Sequence, residues 1–417
     1  MNASDYNGGA TETFMFESQL EKWIVSQAPH KLPIAIVLPS GRRIEIASPA
    51  KVEIRLKDLA AVRHLLDPTL GNLGSAYVEG DIDFIGKIDD ILDVGLKLSD
   101  STGGERFVLP TKSWRGRGRA HSKRRDKDSI AYHYDVSNEF YQLFLDANMV
   151  YSCAYFRSDD DTLDQAQLNK LDHILTKLQL RQGERFLDVG CGWGALIVRA
   201  AQRGARAVGV TLSQNQFDYA KEAIARLGLA DRCEVRLQDY RDVPEAGGYD
   251  KIASVGMIEH VGMENLPTYF GKIHALLSDG GAVLMHGITS THPDRRTVGR
   301  GAGDFLDQYV FPDGEVPHVS DVVRAMSLAG FEVVDLESLR RHYARTLTHW
   351  AQRLDAQPDR ARETAGDKRY RIWRVFLAGC AVAFRDNWMN IHQMLACKLG
   401  PPGMNPFPMT REWIYRT

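Results

Sequence analysis

RFLDVGCGWGAL, residues 185–196, places three glycines directly between an apolar strand pattern and a helical pattern. RFLDVG is typical of a buried strand, and WGALIVRAAQRG, residues 193–204, is typical of a helix. Glycines at such a junction let the chain turn sharply and bring the backbone close to a ligand. The stretch therefore predicts a strand–loop–helix unit of an α/β fold with a ligand at its turn.

The same alternation continues along the chain after this loop. Further strand patterns occupy residues 205–212, 233–239, 249–256, 281–289 and 331–339. Helical patterns occupy residues 213–229, with Ser213 as the expected N-cap, and 264–281. Repeated β–α units with apolar strands predict a mostly parallel, doubly wound sheet covered on both faces. In such a sheet, ligands bind beyond the carboxyl ends of the strands.

The chain ahead of this region is expected to form separate parts. Two strand patterns, KLPIAIVLPS and KVEIRL, and the helical pattern IDDILDVGLKL predict a small α+β domain over residues 1–112. Residues 113–128 form a basic linker, in which seven Arg or Lys stand against one acid between Arg115 and Lys127. This segment is typical of a solvated linker, and it could also bind anionic lipid headgroups as a polybasic segment. The main α/β domain is predicted over 129–400, followed by a tail over 401–417.

Composition excludes several classes of protein. A net charge of −2 with 25% charged residues argues against a globally basic nucleic-acid binder. The five cysteines are odd in number and widely spaced, which predicts no structural metal and a reducing, cytoplasmic compartment. We expect neither a signal peptide nor a transmembrane helix, so contact with a membrane would be peripheral.

The glycine loop favours one class of ligand over others. A dinucleotide fingerprint would place its third glycine one residue later, and a P-loop would end in Gly-Lys-Ser/Thr. Here the loop holds no lysine, so a nucleoside without a pyrophosphate is the better interpretation. G-x-G-x-G after an acidic strand end resembles the first motif of S-adenosylmethionine-dependent methyltransferases.

Four further stretches extend this resemblance to a family. They are YDVSNEFYQLFLDANMVYSCAYF, GVTLSQNQ, LQDYRD and SVGMIEHVG, at residues 134–156, 209–216, 237–242 and 254–262. Together they resemble the cyclopropane-fatty-acid synthases and mycolic acid cyclopropane synthases, from about Ile130 to Arg385. GNLGSAYVEGDID, residues 71–83, resembles the lipid-binding N-terminal domain of the longer synthases.

The resemblance implies a Rossmann-like class I methyltransferase with a defined reaction. A methyl group would pass from S-adenosylmethionine to a cis double bond of an unsaturated phospholipid acyl chain. A cyclopropane ring would then close with bound bicarbonate as the base. The partners implied are an anionic phospholipid membrane surface and the acyl chains. The resemblance is also compatible with a homodimer, because the longer synthases dimerise.

The resemblance also assigns catalytic positions. The bicarbonate ligands correspond to Cys153, Glu259, His286, Ile288 and Tyr343. Glu259 would accept a hydrogen bond from the bicarbonate hydroxyl, and His286 and Tyr343 would donate to its oxygens. Cys153 and Ile288 would act through backbone groups. Cys380 matches a cysteine regarded as an active-site residue of the family, but alkene methylation needs no enzyme nucleophile, so packing is its expected role.

The cofactor positions follow from the same match, and no metal is expected. They are Tyr151, Ser152, Gly190, Gly192, Gly194, Thr211, Leu212, Gln216, Gln238, Asp239 and Tyr240. Ring faces at Phe156, Tyr309 and Phe311 are candidates for stabilising a transient cation.

Three alternatives to cyclopropane formation stay open. A non-cyclising relative would leave a methyl or methylene branch on the acyl chain. The basic linker suggests a nucleic-acid methyltransferase as a second alternative. The strand end SVGMIEH, however, lacks the Asn/Asp-Pro-Pro-aromatic motif of base amino methylases, so no nucleic-acid partner is expected. A non-catalytic lipid-binding protein would have no need of the intact glycine loop.

Overall fold

The structure is a computed structural model that describes residues 32–100, 137–245, 248–294, 301–310 and 315–415, together with 18–19, 21–22, 107–108 and 297–298. The predicted basic linker at 113–128 lies outside these ranges, as do the domain limits at 112 and 129. These limits therefore stay predictions.

The N-terminal part is a small α+β unit with its own apolar core. Its elements are the strands Ile34–Val37 (β1), Arg43–Glu45 (β2), Val52–Leu56 (β3) and Ile82–Ile85 (β4), and the helices Arg63–Leu66 (α1), Leu70–Glu79 (α2) and Ile88–Asp100 (α3). The sheet has the order β2–β1–β3–β4, with β1 and β3 parallel and both outer pairs antiparallel. The α+β character expected from the sequence is confirmed.

The rest of the described chain alternates strands and helices. After the two-residue strand Phe107–Val108 (β5), its strands are Arg185–Val189 (β6), Arg206–Thr211 (β7), Cys233–Leu237 (β8), Tyr249–Val255 (β9), Leu277–Ser290 (β10), Thr297–Val298 (β11), Phe331–Ser338 (β12) and Met389–Lys398 (β13). Its helices are Asn138–Gln142 (α4), Leu163–Lys177 (α5), Ala195–Gln202 (α6), Gln214–Arg226 (α7), Ile258–Val261 (α8), Leu266–Leu276 (α9), Ala302–Tyr309 (α10), Val319–Leu328 (α11), Arg340–Asp355 (α12), Pro358–Ala365 (α13), Asp367–Arg385 (α14) and Glu412–Tyr415 (α15).

One seven-stranded sheet organises this region, in the order β12–β13–β10–β9–β6–β7–β8. The pairs from β10 to β8 are parallel, and β13 alone runs opposite to both of its neighbours. The strand order reverses beside β6, which places a ligand crevice at the end of that strand. The mostly parallel, doubly wound sheet predicted from the sequence is confirmed.

Strand β13 is the strand of the seven-stranded sheet that the sequence analysis missed. It pairs with β10 from Ala282 to Ser290 and with β12 on its other side. Its sequence, MNIHQMLACK, is buried on both faces, so it shows no alternation of polar and apolar residues. The pairing sets Gln393 beside His286.

The N-terminal unit packs directly onto the catalytic part through α2 and α10. A Cβ atom on Gly71 would collide with the backbone carbonyl of Gly301, so the two segments approach closely because Gly71 lacks a side chain. Gly74 lies against the ring of Phe305 in the same way. The Tyr309 hydroxyl donates to Glu79 over 2.9 Å. Helix α10 is thereby held between the N-terminal unit and the catalytic core.

The end of the chain folds back onto the catalytic part. Ile414 in α15 is buried, and the rings of Phe407 and Trp413 stack with centroids 5.3 Å apart. Helix α15 contacts α5. Among the described residues, no helix combines the length and the apolar character that crossing a bilayer requires.

Candidate active site

The glycine loop forms a tight turn at the end of β6. The backbone nitrogens of Gly190 and Cys191 both donate to Val210 O, each over 3.0 Å, which holds the loop against β7. Gly190 has φ +81°, and a Cβ there would lie 2.5 Å from Met257 Sδ. Gly194 has φ +89°, and a Cβ there would lie 2.9 Å from Ala220 Cβ in α7. A side chain at either position would be strained in the turn and would also clash.

A cavity opens where β6, β7, β8 and β9 end. Most of the sequence-predicted cofactor residues line it: Tyr151, Ser152, Gly190, Gly192, Thr211, Leu212, Gln216, Gln238 and Tyr240. Gly194 lies behind the loop, at the start of α6. Asp239 does not line the cavity either; its carboxylate accepts hydrogen bonds from the backbone and guanidinium of Arg241.

Polar side chains on one wall of the cavity are held in place by short local bonds. The Thr211 hydroxyl donates to Gln216 Oε1 over 2.8 Å and accepts from the Ser213 backbone nitrogen. Ser213 also caps α7, as predicted, because its hydroxyl accepts from the Gln216 backbone nitrogen. The Gln216 oxygen is thus engaged, and its amide nitrogen is the group left for a ligand.

Two buried charges that sequence reasoning missed also line the cavity. Lys170 in α5 is 2% exposed and donates to Ser152 Oγ over 2.9 Å. Asp188 in β6 is also 2% exposed, and its Oδ1 has no hydrogen-bond partner among the described residues. Burial lowers the pKa of Lys170 to about 8 and raises the pKa of Asp188 to about 7. Asp188 could have been found as the acid that ends β6, but Lys170 carries no sequence signal beyond its place on a helix.

Cys153 lies in the loop that leads from α4 to α5. Its thiol is fully buried and contacts the carbonyl oxygens of Ala154 and Leu339, at 3.2 and 3.8 Å. Burial raises the thiol pKa far above its ordinary value, so no thiolate forms at neutral pH. The Tyr343 backbone nitrogen donates to the same Leu339 carbonyl over 2.9 Å. Cys153 and Tyr343 are therefore brought together at the start of α12.

Tyr343 projects into the largest aromatic cluster of the catalytic part. Its ring centroid lies 4.6 Å from that of Phe384 and 6.1 Å from that of Trp350. The ring of Tyr151, a cavity residue, stacks on Trp350 at 5.2 Å. The cavity and Tyr343 thus share one wall of aromatic side chains.

Glu259 and Ile288 form the second part of the candidate anion site. Glu259 Oε1 accepts from the Ile288 backbone nitrogen over 3.5 Å, and Oε2 is buried with no partner among the described residues. Burial raises the pKa of this carboxyl group to about 7. Gly287 permits the approach, because a Cβ there would overlap Ile258 and lie 3.1 Å from Glu259 Oε2.

His286, two residues earlier on β10, is oriented by its neighbour on β13. Gln393 Nε2 lies 3.2 Å from His286 Nδ1, so an assigned tautomer in which Nδ1 accepts leaves Nε2–H as the donor. That buried Nε2 has no partner among the described residues. Burial lowers the pKa of His286 well below its ordinary value, so the ring is neutral at pH 7.

These orphaned atoms allow a test of the bicarbonate that the resemblance implies. Glu259 Oε2 is an acceptor, and His286 Nε2–H is a donor. Bicarbonate has a hydroxyl to donate and oxygens to accept, so it can satisfy both kinds of atom. The residues fit the group. Cys380 in α14 packs against the same apolar cluster as Tyr343 and Ile288, and burial raises its thiol pKa to about 12.

A network of ionised and aromatic side chains holds the loop that carries Cys153. The ring of Tyr155 lies between those of His173 and His342, at 4.1 and 4.7 Å. Glu337 on β12 accepts from His173 over 2.8 Å and from Lys177 over 2.6 Å, and these bonds lower its pKa to about 2 against the effect of burial. His342 immediately precedes Tyr343, so the network ties the loop to α12.

The three candidate aromatic faces have different surroundings. The guanidinium of Arg345 lies 4.1 Å from the ring centroid of Phe156 and occupies that face. Tyr309 packs against Phe305 with centroids 5.0 Å apart. Phe311 lies outside the described residues. Over the described parts of the chain, no group of three or more His, Cys, Asp or Glu side chains is arranged for a metal ion.

The chain is similar to known proteins over most of its length. Residues 121–394 match the family described as mycolic acid cyclopropane synthetase. A probable fatty acid methyltransferase of Pseudomonas putida is 45% identical over 386 residues, which is 92% of this chain and 97% of the relative.

Two solved structures share the fold of the catalytic part. The cyclopropane synthase MmaA2 from Mycobacterium tuberculosis is 33% identical with a TM-score of 0.63, over 65% of this chain and 98% of that one. Mycolic acid cyclopropane synthase CmaA1, complexed with SAH and CTAB, is 35% identical with a TM-score of 0.61, over 65% of this chain and 97% of that one.

Proposed function

Since this chain belongs to the mycolic acid cyclopropane synthetase family, a family of S-adenosylmethionine-dependent methyltransferases that modify fatty acids, we propose that it converts a cis double bond of a phospholipid acyl chain into a cyclopropane ring. Its catalytic part has the class I methyltransferase fold. The observation that supports ring formation best is the pair of orphaned buried atoms, Glu259 Oε2 and His286 Nε2.

Cofactor binding is supported by the cavity at the end of β6. The glycine loop brings backbone to the cavity wall, and Thr211 orients Gln216 to donate into it. Tyr240 lines the same cavity with an aromatic face. The solved relative CmaA1 holds SAH, the product that S-adenosylmethionine becomes when its methyl group leaves.

The alkene is a weak nucleophile with no proton to remove, so the enzyme must align it with the methyl group and exclude water. The aromatic wall formed by Tyr151, Trp350 and Tyr343 is suited to both tasks. Attack of the π bond on the methyl carbon breaks the carbon–sulfur bond and leaves a carbocation on the acyl chain. Ring closure then requires that a proton leave the added carbon.

Glu259, His286, Tyr343 and the backbone at Cys153 and Ile288 would hold bicarbonate, which when bound supplies a base for that proton. The neutral state of His286 matters here, because a neutral Nε2–H donates a hydrogen bond without protonating the base. Glu259 with its raised pKa can share a proton with an anion beside it. The Cys153 thiol is protonated, so it shapes the pocket and does not compete as a nucleophile.

The phospholipid substrate implies a membrane surface as partner. Two parts of the chain would attach the enzyme to anionic headgroups. They are the N-terminal unit, which packs against helix α10, and the basic residues between Arg115 and Lys127. Two copies would hold a bilayer more firmly than one, so we include a homodimer on a cytoplasmic membrane face in the proposal. Sedimentation with vesicles of anionic and neutral lipid, at low and high salt, tests this attachment.

A second candidate is methyl transfer without ring closure, which leaves a methyl or methylene branch. The similarity to a probable fatty acid methyltransferase across 92% of this chain favours it. Both reactions pass through the same carbocation and differ in where the electron pair goes when a proton is lost: into a ring bond, or into a double bond that leaves an unsaturated methyl or methylene branch.

Expression in a bacterial host that lacks cyclopropane lipids separates the two. Proton NMR of the extracted acyl chains should show the shielded methylene of a ring. Olefinic methylene signals, or a methyl branch beside a double bond, would instead establish the second candidate. Unchanged acyl chains, in a host that makes the soluble protein, would contradict both.

A further inference from the structure

Lys170 is a buried cation that interacts with the carboxylates of Asp146 and Asp188 through charge, while its hydrogen bond goes to a neutral group. It is 2% exposed, lines the cofactor cavity, and donates to the neutral hydroxyl of Ser152 over 2.9 Å. A hydrogen bond to a neutral group does not offset the cost of burying an ammonium ion. The nearby carboxylate of Asp146 is already engaged by the backbone nitrogens of Asn148 and Val150, both within 2.9 Å.

The opposite charge in the cavity is also incompletely satisfied. Asp188 is 2% exposed and its Oδ1 has no hydrogen-bond partner among the described residues. The cavity therefore presents one buried cation and one buried anion to the same ligand space. A ligand end that carries both charges, as an α-amino acid does, would complement this pair.

We propose that Lys170 is the residue that recognises the carboxylate at the methionine end of S-adenosylmethionine, directly and through the hydroxyl of Ser152. The inference rests on the proposed use of that cofactor and adds a residue that determines its specificity. Because Ser152 Oγ accepts from Lys170, its own hydrogen is directed elsewhere and can donate to the same carboxylate. Asp188 would then face the ammonium group.

The charge of Lys170 has a consequence for the choice between related ligands. S-adenosylmethionine carries a sulfonium, an ammonium and a carboxylate, whereas its decarboxylated form carries two cations and no anion. A cation at Lys170 attracts the first ligand through the carboxylate and repels the second. A purely structural lysine would affect the binding of both ligands alike.

The test is calorimetric titration of the full-length protein with each ligand. Lys170→Met should weaken S-adenosylmethionine binding at least about tenfold, as expected for loss of a buried charge-assisted contact, and leave binding of the decarboxylated form unchanged or tighter. Lys170→Arg should keep the preference for the carboxylated ligand. Thermal unfolding checks that each variant is folded.

Gln167→Met is the matched control on the same helix. Gln167 is fully buried and donates to Ser152 O over 2.8 Å and to Val150 O over 3.3 Å, so it positions the same loop without a charge. Its replacement should weaken both ligands by the same factor. A Lys170→Met protein that loses both ligands equally, or neither, would overturn the assignment. Failure of the wild-type protein to bind S-adenosylmethionine would instead refute the proposed function.

Discussion

Glu259 Oε1 lies 3.5 Å from the backbone nitrogen of Ile288, and the second oxygen of the same carboxyl group is buried without a partner among the described residues. A buried carboxylate oxygen without a hydrogen bond is costly unless a ligand satisfies it. The arrangement is typical of a site that is completed by its ligand. Glu259 does not line the cavity proposed for the cofactor, so the candidate anion site is separate from that cavity.

The first prediction concerns catalysis by this carboxylate. Glu259→Gln keeps the shape and the acceptor for Ile288 but replaces the free oxygen with an amide that donates. We expect product formation to fall at least about 100-fold, the scale of removing one preorganised polar group, while the affinity for S-adenosylmethionine stays within about twofold. Product assays and calorimetry on the same preparation measure the two quantities. Loss of cofactor affinity in parallel with activity would contradict the separation of the sites.

The second prediction concerns stability against pH. The pKa of Glu259 is raised to about 7 in the folded protein, so between pH 4.5 and pH 7 the unfolded chain releases a proton that the folded chain retains. The wild-type protein therefore loses stability as pH rises through this window, by at most about 3 kcal/mol. The Glu259→Gln variant does not lose this stability, because its amide does not titrate. Without bicarbonate, its melting temperature should exceed that of the wild type at pH 8 and match it near pH 4.

The third prediction concerns Cys380. Burial raises the pKa of its thiol to about 12, and methyl transfer to an alkene needs no enzyme nucleophile. Cys380→Ala should keep activity within about threefold, since a partly buried small side chain contributes mainly packing. Steady-state kinetics with vesicle substrate provides the measurement. A loss of several orders of magnitude in a protein that still melts cooperatively would give the thiol a chemical role.

The fourth prediction concerns the contact between the N-terminal unit and α10. Gly71→Ala forces a methyl group against the Gly301 carbonyl, where only backbone movement can relieve the clash, and should destabilise the protein by about 1–3 kcal/mol. Activity should fall as well, because Phe305 and Tyr309 of α10 belong to the same apolar core cluster as Cys153.

Gly95→Ala is the control for this change. Gly95 lies in helix α3 of the same unit, and a Cβ there would meet nothing within 4 Å. This substitution should leave activity unchanged and stabilise the helix by up to about 1 kcal/mol. Equal effects of the two variants would show that the α2–α10 contact is not the cause.

Much of the catalytic fold follows from local sequence. Apolar runs such as RFLDVG predict parallel strands, and Ser213 marks the start of α7, because burial on both faces and capping are local properties. Strand β13 was missed because its pairing with β10 and β12 joins segments about 50–115 residues apart, and its buried polar residues, among them Gln393, conceal the strand pattern.

The site was accessible to sequence reasoning only in part. Glu259 and His286 were placed by resemblance to a family, not by any local pattern. Lys170 could not have been found from the sequence, because its partner Ser152 and its neighbour Asp188 reach it from other elements of the fold. The function of a buried polar residue depends on which residues the fold places next to it, and these can be distant in the sequence.

The most direct test of the central claim is to follow the hydrogens of the transferred methyl group. Purified protein is given vesicles of unsaturated phospholipid and S-adenosylmethionine with a fully deuterated methyl group, and the product is analysed by NMR and mass spectrometry. The account predicts a cyclopropane ring whose added carbon keeps two of its three deuterons, because the base removes one. A product that retains all three, or that carries them on a branch with no ring, would contradict it.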